Sequence, residues 1–531
     1  MKRRSFLKTI GYGMAALLSG CATNQTNDKQ PTPGWAMPQP QSPGNAKPVA
    51  ASRDTRSLPR RYAKPKVRKV HKDRPNILWL ISEDTSPDMA CYGNTLVKTP
   101  NIDKLAREGM RFTNAFVTGP VCSASRSAIM TGMYQTTIGA HNHRSHRTDG
   151  YKLTPPVTVI TEFFRRAGYF TCNCAGLSYK KPGKTDWNFT PNVRAFDGTD
   201  WSQRRPNQPF FAQINFNLTH RDFQRDKNNL IDPAKVELPP YYPDHPVTRR
   251  DWADYLESVQ VLDNEIGVAL QWLEKEGVAD NTIVMYFGDH GQPHVRGKQW
   301  LYEGGIRIPM IIRWPGHLEP GTVCGDLVSS IDFAPTFLSM AEIERPKHLQ
   351  GHVILGPEKR TREYVLAARD RCDGTVDRIR CVRSQRYKYI RNYYPDRPYT
   401  QFNAYKKLQY PVLTVMQVLH AQGKLTPDQE KFMSPTRPKE ELYDLQNDPH
   451  ELHDLAEDRK FRRVLREHRA KLDEWIKATA DKGETPEDPQ VVAYWQDDMM
   501  KSYKQQMEQR GLSPDVSDAD YLKWWEQKLL G

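Results

Sequence analysis

Apolar and polar positions change period along this chain, and the changes mark out its elements. The run "PNILWLISED" is apolar and β-favouring until it stops at Glu83 and Asp84. It predicts a buried strand that delivers two carboxylates at its C-terminal end. "NTIVMYFGDHG" repeats the design, with Thr282 to Phe287 as strand and Asp289 and His290 just beyond. "PFFAQINFNLTH" is a third such run and ends near His220. Between them the period becomes helical. "TPNIDKLAREGM" has Thr99 as cap, Pro100 in the first turn, and Ile102, Leu105 and Ala106 on one face. "RDWADYLESVQVLDNEIGVALQWLEKEG" continues at helical spacing until Gly277. Strands alternating with helices predict an α/β domain with a mostly parallel central sheet.

In such sheets ligands sit at the carboxyl ends of the strands, where Glu83, Asp84, Asp289 and His290 converge. Clustered carboxylates repel one another unless a cation joins them, and oxygen-rich donors favour Ca²⁺ or Mg²⁺ over Zn²⁺. For a single Asp after a strand, the plain alternative is a turn or cap. "GPVCSASRSAIMTG" adds Cys122 at a helix start, where free N–H groups favour an anion. Arg126 follows at i+4 on the same face, and Thr131-Gly132 ends the run. Nothing nearby supplies the partners of a thiol protease.

Charge alters the picture at the N-terminus. Residues 1–72 hold 15 Lys and Arg against 2 Asp and Glu, so they carry +13 of the chain's +14. The remainder has almost no basic surplus, which argues against nucleic acid as a partner. Arg3 and Arg4, followed by Phe6-Leu7-Lys8, read as a twin-arginine export signal. The apolar run behind them is too short to span a bilayer and ends in Leu18-Ser19-Gly20-Cys21, which resembles a lipobox. Lipidation of Cys21 would anchor the chain to a membrane of the bacterial cell envelope, in the periplasm or on the cell surface. Residues 22–72 are rich in Pro, Gln and Lys/Arg without apolar periodicity, as in a tether. The expected plan is a signal over 1–21, a tether over 22–72, a catalytic domain over 73–360, a C-terminal subdomain over 361–480 and a helical tail over 481–531. Of the 8 cysteines none forms a CxxC pair, which disfavours a thiolate zinc site, and Cys372 and Cys381 are spaced to close a hairpin.

"CSASR" followed by Thr-Gly resembles the signature of formylglycine-dependent sulfatases. "PNILWLISED" and "GDHG" resemble that family's two metal-binding segments, and "ELYDLQNDPHELHDLAED" its C-terminal Leu-Tyr-Asp-Leu motif. The resemblance spans roughly 74–460. "NFNLTHRDF" and "DRIRCVRSQRYKYIRNY" are most similar to the heparan N-sulfatase (sulfamidase) branch and its bacterial polysaccharide-sulfatase relatives.

The resemblance implies an alkaline-phosphatase-like α/β fold with a smaller C-terminal α+β subdomain carrying an antiparallel sheet. It implies that a formylglycine-generating enzyme converts Cys122 to 3-oxoalanine. One hydroxyl of the hydrate attacks sulfur, and loss of the other hydroxyl's proton expels sulfate and restores the aldehyde. It implies one Ca²⁺ held by Glu83, Asp84, Asp289, His290 and residue 122. Arg126 would hold the hydrate, Lys298 would bind sulfate, and His220 would be the leaving-group acid. Lys184 in "GKTDWNF" matches a sulfate-binding lysine, but Asp186 stands where relatives have histidine. His141, His143 and His294 are possible stand-ins. The family's usual Asp-Asp is Glu83-Asp84 here, and the third signature residue is Ala124, which leaves the maturation system open.

The arginine-rich stretch from Arg369 to Arg386 has two readings. In one, Arg369, Asp370, Arg371 and Asp373 line the pocket mouth and bind a sulfated carbohydrate by its anionic groups and hydroxyls. In the other it is a solvated edge strand. For the whole chain the rivals to a sulfatase are a phosphoester or phosphonate hydrolase on the same fold and a catalytically silent glycan-binding lipoprotein.

Overall fold

A computed structural model describes residues 74–146 and 149–531. The expected export signal, Cys21 and the 22–72 tether lie outside the described residues. Nine strands form the main sheet: β1 (Asn76–Ser82), β2 (Met110–Phe116), β3 (Phe170–Ala175), β4 (Ser178–Pro182), β5 (Phe210–Phe216), β6 (Thr282–Gly288), β7 (Arg307–Arg313), β8 (Thr322–Cys324) and β9 (Val328–Ser329). Their order is β4-β3-β5-β1-β6-β7-β2-β8, with β9 also pairing with β2. The β3-β5-β1-β6 block is parallel throughout. Antiparallel β7 joins that block to β2.

β1, β5 and β6 are buried at every position, as expected of parallel strands covered on both faces. Trp79 centres this core. Its ring meets Phe211, Phe287, Phe333 and Phe337 edge-on at centroid distances of 5.0 to 6.2 Å. Truncating such a residue typically costs about 3–5 kcal/mol. Helix Pro100–Glu108 buries Ile102, Leu105 and Ala106, the face predicted from spacing. Its start is capped by another helix: Asp263 accepts the Ile102 N–H at 2.7 Å and the Asn101 N–H at 3.2 Å. Asp263 belongs to the 30-residue helix Pro246–Lys275.

A second sheet is antiparallel, in the order β10 (Val365–Arg369), β11 (Ile379–Arg383), β12 (Tyr387–Asn392), β13 (Glu440–Asp444). The tail forms helices Pro489–Gln509 and Asp518–Leu530. Two expectations fail here. Cys372 and Cys381 are both free, because Cys381 pairs across the ladder with Ala367 while Cys372 lies in the turn bridged to Thr375. The arginine stretch is not a solvated edge, since Arg369, Arg371, Arg380 and Arg383 are all buried.

Candidate active site

Register brings the chemistry together. Ser82, the last residue of β1, lies level with Gly288 of β6 and Phe216 of β5. Three strands therefore end at one height, and whatever follows each of them meets. Asp289 N–H donates to the Ser82 carbonyl at 2.9 Å and Glu83 N–H to the Phe216 carbonyl at 3.0 Å, which extends the ladder into the site. Asp84 adopts a left-handed φ of 51°, a conformation that Asp tolerates better than most residues. In that pose its N–H donates to Asp289 Oδ1 at 3.0 Å.

Helix Cys122–Thr131 is buried at all ten positions, and small side chains allow this. Ser127 and Thr131 return their hydroxyls to carbonyls four residues back. Ser125 donates to the Asp289 carbonyl, and Ser127 accepts the Asn188 N–H at 2.9 Å. Gly132 ends the helix at φ 63°, where a Cβ would press on Ala334 at 2.9 Å. The helix start points Cys122 Sγ into the strand ends, 3.1 Å from His290 Nε2 and 3.8 Å from Asp84 Oδ1.

Cations ring the carboxylates. Arg126 Nε donates to Asp289 Oδ2 at 2.8 Å, and its Nη1 donates to Asn215 of β5. Lys184 donates to Glu83 Oε2 at 2.8 Å and lies 3.6 Å from Asp186. Lys298 donates to both oxygens of Asp84, at 2.8 and 3.1 Å. Burial works against ionisation of Asp84, but Lys298 and His290 outweigh it and hold the carboxyl well below its usual range. Burial likewise opposes charge on Lys298, and Asp84 reverses the balance and raises its pKa. His220 lies 3.9 Å from Asp84 through Nε2, while Nδ1 bonds the Arg221 carbonyl at 2.6 Å. Burial and Lys298 push this imidazole down, toward the neutral form.

The donor set fits a divalent cation. Asp84, Cys122 and His290 present ligand atoms within 4.8 Å of one another, as do Glu83, Asp84 and His220. His290 Nδ1 is turned to the Gly291 carbonyl at 2.9 Å, which aims Nε2 at Asp84 Oδ1 3.0 Å away. This is the orientation that a metal-binding imidazole takes when a carbonyl fixes its other nitrogen. Asp289 Oδ1 lies 3.7 Å from the same Nε2. Burial disfavours protonated His290, yet Asp289 and Asp84 raise its pKa well above the usual value, a mark of how strongly the cluster calls for positive charge.

The structure thus gathers Glu83, Asp84, Cys122, Arg126, Lys184, Asp186, His220, Asp289, His290 and Lys298. The other candidates have different surroundings. His143 faces Asp373, Nδ1 to Oδ1 at 3.1 Å, with Asp186 within electrostatic range. His294 lies 3.3 Å from Asp251, itself clasped by Arg221, and is walled by Trp252, Phe223 and Tyr255. His141 feels Asp370 and Arg380. Arg369 is paired with Asp377 and its guanidinium stacks 4.7 Å from the Trp300 ring centroid. Asp370 accepts from Arg380 at 3.0 Å. Arg371 is 1% exposed and gives its guanidinium to Glu487, so the arginine expected to grip substrate is committed inside the fold.

Sequence reasoning missed Asn215, whose alternation in "INFN" was available as a signal. It also missed Tyr405, whose ring lies 4.9 Å from Lys298 Nζ and 5.9 Å from the His220 ring. No local pattern marks Tyr405, because it reaches the site from a distant helix, Ala404–Gln409.

Comparison with known proteins agrees with this geometry. The Sulfatase family profile matches residues 75–343. The profile for the C-terminal part of N-sulphoglucosamine sulphohydrolase matches residues 288–411. An ulvan-active sulfatase of Formosa agariphila is 35% identical over 474 residues, covering 80% of this chain and 78% of the relative. Human N-sulphoglucosamine sulphohydrolase is 24% identical over 482 residues, covering 76% and 90%. The structure of BT4656 in complex with D-glucosamine-2-N,6-O-disulfate has the same fold, with a TM-score of 0.58 at 19% identity over 78% of this chain and 100% of that one. A phosphonate monoester hydrolase of Agrobacterium radiobacter shares the fold as well, with a TM-score of 0.56 at 16% identity over 76% and 96%. A family match over just over half of the chain, and a relative more than 30% identical across four fifths of it, establish that the chain belongs to the sulfatases, a family of sulfuric ester hydrolases.

Proposed function

We propose that this sulfatase hydrolyses sulfate groups on an anionic sulfated polysaccharide or its oligosaccharides, using residue 122 as formylglycine and a Ca²⁺ ion. The observation that carries the reading is the position of Cys122 Sγ, between His290 at 3.1 Å and Asp84 at 3.8 Å, with three fixed cations around it. Glu83, Asp84, Asp289, His290 and residue 122 would hold the ion, and a dication there supplies polarisation of sulfate oxygens and of the attacking oxygen. Lys298 and Lys184, which hold Asp84 and Glu83, would meet the remaining sulfate oxygens. Arg126, locked by Asp289 and Asn215, orients residue 122 from the same helix. His220, its Nδ1 proton tied to a carbonyl, directs Nε2 inward, where its doubly protonated form, drawn by Asp84 and Glu83 against burial and Lys298, would protonate the departing oxygen or nitrogen.

The ulvan-active relative and the sulfamidase-like segments support a polysaccharide sulfate, as ester or N-sulfate, over a small aryl sulfate. Protein verified by mass spectrometry to carry the aldehyde at residue 122 should release sulfate from one class in a panel of O- and N-sulfated saccharides. Full activity with an unmodified Cys122 thiol would overturn the formylglycine reading. We further propose export by the twin-arginine signal and a lipid anchor at Cys21. Cys21→Ala should move the enzyme from the membrane to the soluble fraction.

A further inference from the structure

We infer that the C-terminal segment Asp481–Glu487 positions the substrate pocket, with Glu487 acting through Arg371 on the His143–Asp373 pair. The inference rests on the proposed reading of the chain as a polysaccharide sulfatase, and it adds His143 and Asp373 to the wall of that pocket.

Arg371 ties three separate segments together. Its Nε and Nη2 donate to the two carboxylate oxygens of Glu487, the second at 2.9 Å. Nη1 donates to the Asp373 carbonyl at 2.7 Å and to the His143 carbonyl at 3.2 Å. The main chain adds two bonds. His143 N–H donates to the Arg371 carbonyl at 2.8 Å, and Arg371 N–H to Asn142 Oδ1 at 3.1 Å. One guanidinium, 1% exposed, thus fixes both backbones that present His143 and Asp373 to each other. A planar fork with five donors suits this task, and a lysine would lose the bidentate grip.

The tail is seated independently of this contact. Arg380 clasps Asp481 at 2.6 and 3.0 Å, with Asp370 on the same guanidinium. Lys482 N–H donates to the Thr136 carbonyl, and Thr137 donates to the Thr479 carbonyl. Helix Pro489–Gln509 lies so close to the 370–374 turn that a Cβ on Gly374 would meet Met499 at 2.8 Å and the Gln496 backbone at 2.9 Å. Trp495 of that helix underlies Arg371, 5.3 Å from ring centroid to guanidinium carbon. Glu487 is therefore presented from a braced support.

His143 shows what is being set. Its Nδ1 lies 3.1 Å from Asp373 Oδ1, and a ring proton held on that side would leave Nε2 as an acceptor. The pair borders the candidate site: Arg144 N–H donates to Ser123 Oγ at 3.1 Å, beside residue 122, and Gln299 Nε2 donates to Asp373 Oδ2 at 3.5 Å, beside Lys298. Burial, opposed by Asp373, pushes this histidine down to about 4, so it stays neutral in ordinary buffers. A neutral imidazole acceptor suits a sugar hydroxyl, not a sulfate oxygen. The tail, through Arg371, would thus set the angle at which the pocket accepts a hydroxyl.

The test is a double-mutant cycle on full-length, aldehyde-bearing enzyme, with the sulfated oligosaccharide that the wild type turns over fastest. Glu487→Gln should raise KM about tenfold or more and leave kcat within about threefold, because remote binding is lost and chemistry is not. Glu487→Asp should recover part of the KM. His143→Gln should raise KM comparably, and the double variant should be little worse than either single one. Additive effects, or a fall in kcat with KM unchanged, would overturn the positioning role. Should Glu487→Gln unfold the protein, Trp495→Leu offers the same readout from the other side of Arg371. A wild type that releases sulfate from no saccharide defeats the reading of the substrate itself, a result distinct from failure of the cycle.

Discussion

Lys298 straddles the Asp84 carboxylate, its Nζ 2.8 Å from one oxygen and 3.1 Å from the other, and Asp84 is fully buried. A dication and Lys298 would share the work of neutralising that carboxylate. Chelation should therefore abolish turnover and lower the thermal midpoint by several degrees. Lys298→Met should enlarge the chelator-induced shift, because breaking a buried pair leaves a charge uncompensated, at a cost of about 3–5 kcal/mol. Thermal scans with and without chelator, in both proteins, check this. An identical shift in the two would show that Lys298 and the metal do not act on the same charge.

Cys122→Ala should remove at least three orders of magnitude in rate while moving stability by no more than about 1 kcal/mol, since it deletes one sulfur atom from a polar pocket. Sulfate release and urea midpoints measure the two quantities. A variant that retains a tenth of the rate would exclude residue 122 as nucleophile.

His220→Asn should discriminate between leaving groups. A sugar alkoxide needs a proton as it departs, whereas a nitrophenolate does not. Loss of a general acid typically costs 10²–10⁴-fold, so turnover of the sugar sulfate should fall by about that much and turnover of a nitrophenyl sulfate by less than tenfold. Parallel kcat measurements decide it, and equal losses would remove His220 from the acid role.

Lys406 gives a prediction about stability and pH. It is buried, its ammonium lies 4.9 Å from the Trp300 ring centroid, and burial together with Arg369 pushes it from 10.5 down to about 7. Between about pH 7 and pH 10.5 the unfolded chain holds a proton that the folded chain has released, so this residue makes stability rise with pH over that window. Below about pH 7 both states are charged and the penalty is complete. Lys406→Met should therefore stabilise the protein by about 1–3 kcal/mol near neutrality and flatten the rise toward about pH 9. Urea unfolding at the two pH values would show it, and an unchanged slope would refute it.

Much of the site was legible because strand ends announce themselves. The apolar runs closing on Glu83-Asp84 and on Asp289-His290 become β1 and β6, and parallel register makes their ends coincide. Periodicity located Ile102, Leu105 and Ala106 equally well. What escaped was whatever depends on partners far away in sequence. Arg371 carries the same local signature whether it meets a polymer or Glu487, and only the packed tail distinguishes the two. His294 sits in a motif beside Lys298, yet the chain turns it toward Asp251. Tyr405 enters from a helix with no chemical signature of its own.

The helix that carries Cys122 has all ten residues enclosed, and the cysteine itself is 3% exposed. Such enclosure orders events in time. Under the proposed formylglycine reading, an enzyme oxidising this thiol would have to reach a side chain that the finished fold encloses. If residue 122 is matured as proposed, that step would come while the chain is still open, and a molecule that folded with the thiol intact would be shut out of activation for as long as it stayed folded.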